Sequence, residues 1–91
     1  PPYVRNQVRL EFQIRGNHLT LFEERPSMRD PKTWIKHNVA QFRYNLEKNE
    51  WTLYWRDRNQ KWHLYADLLP TKKFDELLEE LENDPTGIFR G

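Results

Sequence analysis

Ninety-one residues, 32% of them charged and none a cysteine, make one small domain over residues 1–91 that neither a disulfide nor a thiolate-held zinc can staple. No apolar run approaches the ~18 residues of a membrane span and no signal-peptide pattern opens the chain, so the expectation is a cytoplasmic protein with no membrane partner. The net charge of +1 hides an uneven distribution: twelve Lys/Arg stand against seven Asp/Glu up to Ala66, and three against seven after it. That asymmetry suits either an anionic partner for the basic part or pairing between the two parts.

Alternation is clean at the start. Val4, Val8, Leu10, Phe12 and Ile14 share one parity and Arg5, Gln7, Arg9, Glu11, Gln13 and Arg15 the other, the pattern of a half-buried strand. Gly16-Asn17 supplies turn chemistry, and His18 to Glu24, with Leu19 and Leu21 inward, completes a hairpin. Pro26 ends that strand. Asp30-Pro31 offers an N-cap and a first helical residue for one helical turn, with Trp34 and Ile35 as its anchor to the core.

Three further strands are expected. Val39 to Asn45 places Ala40, Phe42 and Tyr44 inward; Trp51 to Arg56 does so for Trp51, Leu53 and Trp55; Lys61 to Ala66 for Trp62 and Leu64. Their short connections require antiparallel neighbours, because a parallel crossover needs about a dozen residues. Thr71 is a suitable N-cap for a helix carrying Phe74, Leu77, Leu78 and Leu81 at i, i+3, i+4 and i+7, which Pro85 and Gly87 would stop. Lys72 and Lys73 near its start and four acids towards its end oppose the helix dipole. The fold class is therefore α+β: a twisted antiparallel meander of about five strands packed by one C-terminal amphipathic helix.

Catalytic and cofactor chemistry find little support. His18, His37 and His63 lack ligand spacing, the three glycines form no phosphate loop, and Ser27 has no nucleophile-elbow context, so neither metal nor cofactor is expected. Carboxylate chemistry at Glu23 and Asp57 is possible in principle, but ion pairing with nearby arginines is the expected role of both. The informative stretch is Trp51 to Tyr65, where three Trp and two Tyr interleave with Arg56, Arg58, Lys61 and His63. With Trp51, Trp55 and Trp62 inward, Tyr54, Arg56, His63 and Tyr65 fall on a second sheet face, joined by Phe22, Arg43, Arg9 and Arg5.

Flat aromatics among cations hold single-stranded nucleic acid by stacking and phosphate neutralisation. The same composition suits a protein contact or a homodimer interface. Protein binding or self-association through this face, together with a Glu23/Arg25 corner, is the first expectation; nucleic-acid binding is second; an enzyme using Glu23, Arg25 and His63 is third.

Several patches, in order, carry a resemblance: Pro1-Pro2 before the alternating strand, Leu21-Phe22-Glu23 with Arg25-Pro26, Val39-Ala40 with Phe42 and Tyr44, Trp51 with Tyr54-Trp55, Lys61-Trp62-His63 with Tyr65, and Asp84 with Gly87, Phe89 and Gly91. Over essentially its whole length the chain resembles a family of short bacterial proteins known as domain of unknown function 3024. It departs where members often carry Trp near Met28, and Cys and an aromatic around Ile88 and Arg90, which removes any Cys-dependent role. The resemblance implies a helical segment upstream of Pro1, covering part of the sheet, and implies no activity.

Overall fold

A computed structural model describes residues 8–89. Five strands form one antiparallel sheet in the order β1-β2-β3-β4-β5: β1 Arg9–Arg15, β2 His18–Pro26, β3 Trp34–Asn45, β4 Glu50–Arg56 and β5 Trp62–Leu64. The single described helix, α1, runs Phe74–Asn83 across one face of this meander. The α+β architecture is the one the periodicities predict. Val4, Arg5 and Gln7 of the predicted first strand lie outside the described residues.

Local chemistry explains the connections. Gly16 takes a φ of 55° at the first position of the β1–β2 turn, which no side-chain-bearing residue adopts cheaply. Asp30 caps a turn rather than a helix: its backbone oxygen accepts from Thr33 N at 2.9 Å, and its carboxylate accepts from Lys32 N and Thr33 Oγ1. β3 consequently begins at Trp34, earlier than the apolar pattern indicates, and Ile35 is 51% exposed instead of anchoring the core.

Register shows which side chains share a face. Leu21 pairs with Ala40 but Phe22 pairs with Asn38, so Val39 is an extra residue, a β-bulge. The bulge lets Val39 and Ala40 both enter the core, with Leu21, Phe42, Leu53, Tyr65, Leu77 and Leu81. It also changes the parity of β3, bringing Trp34, Lys36 and Asn38 onto the face that carries Gln41 and Arg43.

The helix begins later than expected. Thr71 is no N-cap; it exchanges backbone hydrogen bonds with Trp51 (2.6 and 3.0 Å) and ties the helix entry to β4. Lys72 and Lys73 precede α1, whose first turn carries Asp75 and Glu76, the sign its dipole favours. Asp84, with φ 40°, ends the helix, its N–H donating to the Glu80 carbonyl. Leu77 and Leu81 are buried and Phe74 packs on Phe42 and Trp51, but Leu78 is 37% exposed and leaves the predicted stripe. Burying the three inward residues contributes about 5–8 kcal/mol before entropy.

β1 departs most from expectation. Leu10, Phe12 and Ile14 share the helix-side face with Leu19 and Leu21, yet are 54%, 54% and 70% exposed. The cause is width. α1 lies over β4, three strand spacings or about 14 Å from β1, and a helix about 10 Å across covers roughly two strands.

Candidate functional site

The face turned away from α1 gathers the unusual chemistry. β4 contributes Tyr54 and Arg56, β2 Phe22, β1 Arg9, and β3 Trp34, Lys36 and Arg43. Four cations lie over four rings here: Arg9 over Trp34 at 3.4 Å from the ring centre, Arg43 over Tyr54 at 3.8 Å, Lys36 over Phe22 at 4.2 Å and Arg56 over Trp62 at 5.5 Å. Every one of these rings is half-buried. Each stack is worth about 0.5–1 kcal/mol at such a site and fixes the height of the cation above the sheet.

Polar side chains between the stacks hold the cations in place. Thr20 Oγ1 accepts from Gln41 Nε2 at 3.0 Å, and Gln41 Oε1 accepts from Arg43 Nε at 2.7 Å. Gln41 is 8% exposed, so the Arg43 guanidinium is oriented from beneath by a buried amide. Lys36 Nζ donates to Gln13 Oε1 at 2.9 Å and Arg56 to Gln60 Oε1 at 2.9 Å. Lys36 and Asn38 form the floor shared by two open depressions, one bordered by Arg56 and Gln60, the other by Gln13 and Trp62. Asn38 Oδ1 is buried there with no hydrogen-bond partner, which costs about 1–3 kcal/mol unless something donates to it.

Of the residues the sequence nominates, Phe22, Arg43, Tyr54 and Arg56 lie together on this face. His63 and Tyr65 do not. Trp55 pairs with His63 and Arg56 with Trp62, so Trp62 and Leu64 stand on the open face and His63 on the helix side. The β4–β5 loop is the reason. Asp57 N donates to Lys61 O, Gln60 N donates to Asp57 O, and Gln60 adopts a φ of 66°. The loop thus holds five residues rather than four, and the additional one reverses the parity of β5.

Tyr65 is 3% exposed in the core, donating its hydroxyl to Glu80 Oε2 at 2.7 Å. Burial first, and the Glu80 bond second, push its pKa up to about 12. His63 stacks on Trp55 and bonds Asp57 Oδ2 at 2.6 Å; this bond and backbone donors in the loop lower the Asp57 carboxyl below its ordinary value. Glu23 and Arg25 form an ion pair at 3.0 Å on the helix-side face. They stand in β2, three strand spacings (about 14 Å) from His63 in β5, so these three groups do not converge. Arg5 lies outside the described residues. Among those residues, no three His, Asp or Glu side chains gather in a way that could hold a metal ion.

Sequence reasoning missed Trp34, Lys36 and Trp62. One signal was available for the first two: Val39-Ala40 sets two apolar residues side by side in the interior of β3, a break in alternation that marks the bulge. Trp62 had no such signal, since the left-handed position in the loop that sets its face is held by Gln60 and not by the Gly or Asn that would mark it.

In comparisons with known proteins, the family model described as "Domain of unknown function (DUF3024)" matches residues 1–91. No curated protein and no solved structure matches the chain.

Proposed function

The chain belongs to the DUF3024 family, a membership that brings no activity with it, and we propose that it is a non-catalytic binding domain holding single-stranded nucleic acid on the sheet face turned away from α1. The observation carrying this reading is the set of four cation–ring stacks on one face. Bases stack on aromatic rings or guanidinium planes, and the same cations neutralise phosphates. A cytoplasmic setting goes with this reading, and the lack of cysteine is compatible with it.

Protein contact ranked first from the sequence; charge reverses the order. Among the described residues the face carries Arg9, Arg15, Lys36, Arg43 and Arg56 beside Glu11, Glu24 and Glu50. Arg and aromatic rings are enriched in protein interfaces as well, so what favours nucleic acid is the excess of cations over acids on the face, with the rings stacked beneath the cations.

The test is a fluorescence titration with single-stranded oligonucleotides at several salt concentrations, because Trp34 and Trp62 lie on the face. Quenching should saturate, and log K should fall against log salt with a slope of about −3, roughly 0.7 for each of the four stacked cations. Trp62→Ala should weaken binding roughly tenfold at constant slope, and Arg43→Ala should reduce the slope by about 0.7. A flat response at low salt would overturn the proposal. So would a duplex that competes as well as a single strand.

A further inference from the structure

β1 is an edge strand whose chemistry matches itself. The two-residue Gly16-Asn17 turn makes Arg15 and His18 the closing, doubly bonded pair of the hairpin. Alternate residues, Gln13, Glu11 and Arg9, therefore turn their backbone groups towards β2, and those of Leu10, Phe12 and Ile14 face outward. Among the described residues no strand lies on that side. The same three residues carry exposed apolar side chains on the helix-side face. A seven-residue edge with unpaired backbone groups and an apolar flank is a template for another strand.

We propose that the partner is a second copy of this chain, its β1 pairing antiparallel with the first across a two-fold axis at Gln13. Residues directly opposite must share a face, which leaves three registers that overlap five or more residues of Arg9–Arg15. Centred on Phe12, the pairing sets Arg9 against Arg15 of the second copy. Centred on Glu11, it sets two carboxylates against each other. Centred on Gln13, it sets Glu11 opposite Arg15 twice, once at each end, and Phe12 opposite Ile14 twice.

Charge complementarity selects the last register, since like charges directly opposite destabilise a ladder and opposite ones support it. The geometry agrees with this. Phe12 and Ile14 become the hydrogen-bonded pairs, exchanging four backbone bonds in all, while Glu11 and Arg15 fall at non-hydrogen-bonded positions where side chains approach most closely. Neither Glu11 nor Arg15 has an ion-pair partner among the described residues. The product is a ten-stranded sheet whose two cationic faces adjoin on one side. Pairing over five residues buries less than the roughly 1,600 Å² of a standard interface, so the dimer is concentration-dependent.

Sedimentation equilibrium of the whole chain without oligonucleotide, over a wide concentration range, tests this separately from nucleic-acid binding. The wild type should pass from monomer to dimer. Glu11→Arg and Arg15→Glu should each weaken association at least tenfold, and the double reversal E11R/R15E should restore it. Phe12→Pro, which removes an outward-facing donor and leaves the β1–β2 bonds in place, should give a monomer with an unchanged circular dichroism spectrum. A wild type that stays monomeric throughout overturns the proposal. A dimer that neither single reversal weakens, or that the double reversal fails to restore, overturns it too.

Discussion

Tyr65 occupies a core position with its hydroxyl directed at a carboxylate, so its neutral form is strongly preferred in the folded chain. Its pKa is raised from 10.0 to about 12, mainly by burial. A raised pKa contributes stability that is complete below pH 10 and disappears as the pH climbs through about 12. That contribution is on the order of 2 kcal/mol. Urea unfolding at stepped pH should therefore lose about this much between pH 10 and 12 more in the wild type than in Tyr65→Phe. At neutral pH the same substitution should cost about 1–2 kcal/mol for the lost bond to Glu80. At Asp57 the sign is opposite: its depressed carboxyl adds stability that is present above the ordinary carboxylate range and lost as acid protonates it.

The β4–β5 loop and α1 are the two elements on which the fold's stability turns. The β4–β5 loop holds Gln60 at a φ of 66°, where a side chain costs about 1 kcal/mol relative to glycine. Gln60→Gly should raise the urea midpoint by an amount equivalent to about 0.5–1 kcal/mol, less the small contribution of the exposed Arg56–Gln60 bond. The helix is the other. Leu77 is fully buried at the centre of its contact with the sheet, and Leu77→Ala should cost about 3–4 kcal/mol. That is a large share of the stability of a domain this size, so partial unfolding at 37 °C is the expected readout. Leu78→Ala, on the exposed flank, should cost less than about 1 kcal/mol, separating the true apolar stripe from the one the spacing suggests.

Across the described residues the sheet has two faces of different character, one covered over β3 and β4 by α1 and one that no described element covers. If the open face binds single strands, a saturating oligonucleotide stabilises the folded state by mass action, by about 2.7 kcal/mol at a hundredfold excess over Kd. The melting temperature should rise for the wild type at low salt, and a higher concentration should be needed with Trp62→Ala.

Strand number, antiparallel order, the C-terminal helix and the inward placement of Phe42, Leu53 and Leu77 were all legible in the order of residues, because period-two and period-3.6 patterns are local and repeat several times. So were Phe22, Arg43, Tyr54 and Arg56 as companions on one face. The positions of Trp34, Lys36 and Trp62 were not, nor the withdrawal of His63 and Tyr65 to the other side. Trp34 and Lys36 stand in a segment that reads as a helical turn and is the start of β3, where the Val39 bulge sets their face; Trp62, His63 and Tyr65 depended on the fifth residue of the β4–β5 loop, since one residue reverses every side chain beyond it. The exposure of Leu10, Phe12 and Ile14 also lay outside local reading. An alternating strand records which side is apolar, whereas coverage depends on how far a ten-residue helix reaches across five strands.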